Sequence, residues 1–170
     1  MGFFDLFFGQ PQSKNNFSNI TSIMSQDDID EIEMGHFPSI DTNEIYLQKN
    51  EICYYADRAR LMNEKTVKEY MRKMTGVGGP LFLGLHVHYG NYQKIQTGEH
   101  VEREFFDGKL FVTNKRTIFL EKEQGFDKRH TTITAIKPYS DGIEIQYGSK
   151  TYSIFVPDGY LLNDLFELLH

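Results

Sequence analysis

The chain has 170 residues, and its 39% hydrophobic and 14% aromatic content is enough to build one core of ordinary size. A single cysteine, Cys53, excludes an internal disulfide and any metal site with several cysteines. The first 51 residues carry a net charge of −7 and the remainder carries +1, which gives the net −6 of the chain. This distribution argues against broad nucleic-acid binding, which needs many cations to neutralise phosphates.

The first nine residues, "MGFFDLFFG", form a short apolar tip. The tip is too short to span a bilayer, which takes about 20 apolar residues, and it lacks the basic start of a secretory signal. Exposed apolar clusters promote association, so we predict that the tip binds a partner protein or a second copy. An alternative is a peripheral membrane contact, although the acidic flank disfavours anionic lipid. The predicted partner-binding residues are Phe3, Phe4, Leu6, Phe7 and Phe8.

Residues 1–46 are predicted to form an N-terminal extension made of this tip, a polar linker and one short helix. The sequence "SQDDIDEIEMG" places Ser25 as N-cap and acids in the first turn, with Gly35 as the stop. Ile29 and Ile32 would share one face of this helix. The acidic face is expected to be solvated or to lie across a basic surface.

Residues 47–170 show mainly strand patterns. The run "NEICYY" has strand character, the residues just after it suit strand or helix, and Thr66 to Met74 is predicted to form a helical turn or two. From Pro80 onward the hydrophobic period is two, and at least six strands follow at close spacing, which indicates an antiparallel meander. Gly148-Ser149 suits a two-residue hairpin turn. After Pro157, Asp158 can cap a final helix with a wide leucine stripe.

The stretch "GKLFVTNKRTIFLEK", Gly108 to Lys122, resembles the strand, polar turn and second strand of bacterial pleckstrin-homology-like and GRAM-type domains. The stretch "LQKNEICYY" is similar to the opening strand of such domains. This resemblance covers residues 47–170 and implies an α+β fold, a bent antiparallel sheet or barrel capped by the C-terminal amphipathic helix. It also implies a non-enzymatic binding or scaffolding module, although the fold alone does not fix the ligand.

The polar turn in this stretch has two interpretations. A functional one is a cationic rim that binds an anion or a lipid headgroup, because arginine and lysine bind phosphate directly. A structural one is that Asn114 tolerates the tight turn and that the arginine stem packs over the sheet. The structural interpretation is favoured, because turns are polar for backbone reasons first. The rim would consist of Lys109, Lys115, Arg116, Lys128 and Arg129.

His86 and His88 lie two residues apart on one predicted strand face, where two imidazoles can share a metal ion. A third ligand would have to come from His100, Cys53 or a carboxylate, and no HExxH or CxxC motif supports the site. We therefore expect no metal and no cofactor. Cys53 sits in an apolar strand and is expected to be an inert core thiol.

These observations predict a cytoplasmic, non-catalytic module that binds a protein through its sheet edge or loops, or that associates with itself. One alternative is a peripheral membrane module that binds lipid headgroups. The other is a metal-dependent enzyme that uses His86 and His88. No nucleic-acid partner is expected.

Overall fold

The computed structural model describes the backbone of residues 20–81 and 85–170 and the side chains of residues 20–68 and 98–170. The described residues fall into two compact units, residues 20–63 with Phe105–His170, and Glu64–Glu104. The second unit consists of the later part of one long strand and the earlier part of the next. All packing described below lies within the first unit.

The described elements are two helices, seven strands and one 3-10 turn. The helices are α1 (Gln26–Glu33) and α2 (Gly159–Leu169), and the turn is His130–Thr132. The strands are β1 (Cys53–Leu81), β2 (Leu85–Thr113), β3 (Arg116–Leu120), β4 (Phe126–Arg129), β5 (Ile133–Tyr139), β6 (Gly142–Tyr147) and β7 (Lys150–Phe155).

The strands form one antiparallel sheet in the order β4-β3-β2-β1-β7-β6-β5. The α+β class and the antiparallel meander are therefore as predicted. Over the described residues the sheet is open, with β4 and β5 at its two edges, so the barrel alternative is wrong. The two-residue hairpin at Gly148 is confirmed, because Tyr147 pairs with Lys150 and Gly148 has φ +59°.

The prediction of a helix from Thr66 to Met74 is wrong, because β1 continues as a strand from Cys53 to Leu81. The apolar residues Val67, Tyr70, Met71 and Met74 follow the period of a helix, which explains the prediction. The long strand β2 is the neighbour of β1 in the sheet, and pairing between strands provides backbone hydrogen-bond partners that override a local helical pattern. The strand β2 is likewise continuous from Leu85 to Thr113.

Both helices begin at side-chain caps. The backbone N–H of Asp28 donates to Ser25 Oγ at 3.2 Å, and the N–H groups of Tyr160 and Leu161 donate to Asp158 Oδ1 at 2.9 and 3.1 Å. These bonds satisfy donors that have no partner inside a helix. At the start of α2 the chain approaches β5 and β6 so closely that a Cβ on Gly159 would lie 1.9 Å from the Gly142 carbonyl oxygen.

The main core lies between the sheet and the two helices. Leu162, Leu165 and Phe166 of α2 and Ile32 of α1 are buried in it beside residues from β1, β2, β3, β6 and β7. The residues before α1 are joined to β1 by the buried carboxylate of Asp57, which accepts hydrogen bonds from Ser22 Oγ at 2.5 Å and from the Ile23 N–H at 2.8 Å. The helix α1 therefore packs as part of the first unit.

A smaller apolar cluster covers the opposite face of the sheet. Cys53, Phe111 and Ile118 are buried there, and the segment between α1 and β1 packs over them through Ile40, Ile45 and Leu47. This segment has no helix or strand, so the predicted opening strand begins at Cys53 and not in the stretch from Leu47 to Ile52. Because it crosses the start of β1 and the β2–β3 hairpin, it brings the polar loop at residues 48–51 to the hairpin turn.

Candidate functional site

The β2–β3 turn is bound to the loop that precedes β1. The Asn114 side chain accepts a hydrogen bond from the Ile52 N–H and donates one to the Asn50 carbonyl, both at 3.0 Å. The Asn114 N–H donates to the Ile52 carbonyl at 3.0 Å, and Lys115 Nζ donates to the Lys49 carbonyl at 2.6 Å. The amide of Asn114 thus serves as a bridge between two loops.

Arg116 forms a buried ion pair with Glu51. The arginine donates from Nε to Glu51 Oε1 at 2.7 Å and from one terminal nitrogen to Oε2 at 3.1 Å, and the carboxylate side chain is fully buried. Arg116 also donates to Asp127 and, at 2.7 Å, to the Tyr46 carbonyl. Thr113 Oγ1 completes the cluster by donating to Glu51 Oε1 at 2.8 Å.

This cluster shifts the pKa of both charged partners. Burial alone raises the pKa of Glu51, but hydrogen bonds from Arg116, the Gln48 backbone and Thr113 outweigh burial, so its pKa lies below the usual value. The hydrogen bond to Glu51 raises the pKa of Arg116 above its usual value. These contacts support the structural interpretation of the turn, because Asn114 and Arg116 direct their donors to the protein itself.

A cleft of about 510 Å³ lies between this turn, the end of β4 and the end of α2. Three of the five residues of the predicted cationic rim meet there: Lys115, Arg116 and Arg129. Arg129 is exposed, whereas Arg116 is neutralised by Glu51 and Asp127. The lining residues are Gln48, Asn114, Lys115, Arg116, Arg129, His130, Thr131, Leu169 and His170.

The other two rim residues do not line this cleft. Lys109 donates to Glu44 Oε1 at 2.5 Å and lies in a separate groove with Arg58 and Arg60. Lys128 is half-buried in β4, where it pairs with Thr117 of β3. The rim predicted from the sequence is therefore divided among different surfaces.

His130, which the sequence analysis did not single out, is the most unusual residue of the cleft. Its side chain is buried, its ring lies edge-on to Phe166 with centroids 5.7 Å apart, and its Nε2 has no hydrogen-bond partner in the part of the chain that the structure describes. Burial, assisted by the charge of His170, lowers the pKa of His130 to about 4. A lone histidine after a short strand gives no sequence signal for such burial.

We expect the protein to lose stability as the pH falls from 6.5 to 4. The pKa of His130 is about 4 in the folded protein against 6.5 normally, so the unfolded chain binds this proton first. The stabilisation is complete above pH 6.5 and is lost by pH 4, with a magnitude of at most about 3 kcal/mol. Urea unfolding across this window measures it.

The matched variant for this prediction is His130→Phe, which removes the titrating ring and retains a ring next to Phe166. Its stability should change less than that of the wild type between pH 6.5 and 4. An unchanged pH dependence in the variant would show that other groups cause the loss.

A second groove, of about 370 Å³, runs between the edge strand β5 and α2. Its strand wall is formed by residues 133–136, of which Thr134 and Ala135 are exposed. Its helix wall combines a buried aromatic ring with polar side chains. The helix residues are Asn163, Phe166, Glu167 and His170.

The remaining candidate residues are placed as follows. The predicted partner-binding residues Phe3, Phe4, Leu6, Phe7 and Phe8 lie outside the described residues, as do the side chains of His86 and His88, although β2 contains both histidines. Among the described residues no three potential metal ligands cluster. Cys53 is buried as predicted; burial raises its pKa to about 11, and its Sγ donates to the Tyr55 carbonyl.

Comparison of the chain with protein-family models, with curated proteins and with solved structures finds no match. The resemblance to pleckstrin-homology-like domains therefore stays a prediction. Within the described part of the chain, neither helix has the length and apolar character needed to cross a membrane.

Proposed function

We propose that this protein is a non-catalytic interaction module that binds an extended segment of a partner protein along β5. The observation that carries the proposal is that β5 is an edge strand and that α2 forms a groove beside it. An edge strand presents backbone groups that can pair with another chain, and many recognition domains add a peptide as a further strand.

The first half of β5 is the part that is suited to pairing. Pro138 has no N–H group, which is tolerated because its nitrogen faces the open edge of the sheet. Backbone direction alternates along a strand, so the N–H of Ile136 faces the same open edge and supplies a donor. Lys137 and Pro138 discourage pairing further along β5, because lysine and proline are typical protectors of an edge.

The helix wall gives the groove its selectivity. Ile133 and Ile136 are half-buried against the main core, and Phe166 lies beneath them as a fully buried ring. Asn163 and Glu167, one turn apart, present polar groups and hydrogen-bond to each other at 2.8 Å. A peptide added to β5 would direct alternate side chains toward this wall, so the fitting partner is an extended segment with small apolar residues at alternate positions.

The substitution Ala135→Trp is expected to block this groove, because it places a large ring at an exposed position of the strand wall. Peptides selected from a random library on the full-length protein should bind Ala135→Trp at least about tenfold more weakly than the wild type, as expected when a central contact is lost. Amide chemical shifts of residues 133–136 should respond to the peptide in the wild type.

Ser149→Trp is the matched control, because it adds the same ring at an exposed position of the β6–β7 turn, outside the groove. The control should bind the peptides as the wild type does. A library that yields no binding peptide, or peptides that bind both variants equally, would refute strand addition at β5.

A further inference from the structure

The buried ring of His130 is a polar group that the fold leaves incomplete. Only 7% of the residue is exposed, and its Nε2 finds no donor among the described residues. Buried polar atoms are nearly always hydrogen-bonded, because an unpartnered one loses its hydration without replacement. His130 lines the cleft beside the β2–β3 turn, so the cleft is the candidate source of the missing partner.

The hydrogen bonding of the ring determines which kind of partner Nε2 requires. The Arg116 backbone raises the pKa of His130, as a carbonyl oxygen facing a ring N–H does. Because Nε2 is the unpartnered nitrogen, we assign the ring hydrogen to Nδ1. A neutral imidazole has one donor and one acceptor, so Nε2 is an acceptor that needs an O–H or N–H group.

The charges around the cleft determine the rest of the ligand. Lys115 and Arg129 form no ion pair with any residue in the part of the chain that the structure describes. Lys115 uses one hydrogen bond on the Lys49 carbonyl, and an ammonium group has three donors. Arginine binds a carboxylate through two parallel hydrogen bonds, so Arg129 is suited to an acidic group.

We infer that this cleft binds a small organic acid that carries a hydroxyl group, with the carboxylate on Arg129 and Lys115 and the hydroxyl donating to His130 Nε2. The volume of about 510 Å³ is within the range of small-molecule sites. The carbonyl end of α2, at Leu169 and His170, carries partial negative charge and places the acid on the side of the β2–β3 turn. This cleft adjoins the proposed peptide groove, with which it shares the lining residue His170.

Two pairs of acids that differ by one hydroxyl group test the inference: malate against succinate, and glycolate against acetate. Calorimetric titration of the full-length protein should show that the hydroxylated member of each pair binds about 3- to 10-fold more tightly, the contribution of one hydrogen bond. In His130→Phe the two members should bind equally. Arg129→Gln should weaken malate and succinate alike by about tenfold.

Lys128→Gln is the matched control for Arg129→Gln, because it removes one positive charge from the adjacent residue, which does not line the cleft. It should leave malate affinity unchanged. If His130→Phe does not fold, the nitrogen chemical shifts of the wild-type His130 ring provide the test instead. The Nε2 resonance should shift when malate is added and should stay in place when succinate is added.

Several outcomes would overturn the inference. These are no binding of either acid, equal affinity of malate and succinate, an Nε2 signal that malate leaves unmoved, or equal effects of Arg129→Gln and Lys128→Gln. Ala135→Trp distinguishes this site from the peptide groove, because it should abolish peptide binding and leave malate affinity intact. If binding is absent at one site, the binding result at the other site can therefore still be interpreted.

Discussion

Leu165→Asp is expected to abolish cooperative folding of the first unit. Leu165 is fully buried in the main core, where α2 packs on the sheet beside Ile32 of α1. The substitution removes about 1.5 to 3 kcal/mol of side-chain burial and places an unpaired carboxylate in an apolar site, at a cost of several kcal/mol more. Typical domains have only about 5 to 15 kcal/mol of stability. Thermal unfolding followed by circular dichroism measures the effect.

Tyr160→Asp is the control for Leu165→Asp, because it introduces the same carboxylate on the same helix at a position that is 51% exposed. An acid in the first turn of a helix is favourable, so the melting temperature of this variant should stay close to that of the wild type. A cooperative melt in Leu165→Asp at nearly the wild-type temperature would show that α2 does not complete the core.

Arg116→Met is expected to destabilise the protein by about 3 to 5 kcal/mol, because it leaves the fully buried carboxylate of Glu51 without its cation. The double variant Glu51→Leu with Arg116→Met should recover most of that loss, because an apolar pair needs no desolvation of charges. Urea unfolding of the two single variants and the double variant gives the coupling energy. If the double variant loses as much stability as the two single variants together, strong coupling between Glu51 and Arg116 is excluded.

The control for Arg116→Met is Lys115→Met, which removes a neighbouring charge that makes one hydrogen bond to a backbone carbonyl. Its cost should be about 1 kcal/mol. The pH dependence provides a second check. Because the folded pKa of Glu51 is lowered, its stabilisation is present above the ordinary value of 4.5 and is lost as the pH falls through the folded pKa. The double variant should lack this loss.

The local features of the fold could be predicted from the sequence wherever a physical rule between neighbouring residues applies. Ser25 and Asp158 cap their helices because their side chains reach N–H groups two or three residues ahead. Gly148 marks a hairpin because the turn requires positive φ. The turn at Asn114 was also correctly located, because two apolar strands flank a polar tip.

The candidate sites could be predicted from the sequence only in part, because they depend on residues that are distant in the chain. The sequence indicated five cations as one rim, but Lys109 is bonded to Glu44 and Arg116 to Glu51, both more than 60 residues away along the chain. No local pattern specifies such pairs. His130 likewise has ordinary neighbours in the sequence, and its burial arises from α2, which packs on it through Phe166.

The sequence by itself determined the helix ends, the hairpin turns, the alternating strands and the acidic character of the first 51 residues, since these follow from neighbouring residues. Only the tertiary structure decided that residues 66–74 extend β1, because pairing with β2 outweighs a helical period. It also decided that β5 is an edge strand beside α2 and that Nε2 of His130 has no hydrogen-bond partner among the described residues. Both are consequences of which distant segments pack together, and local propensity does not specify which segments do so.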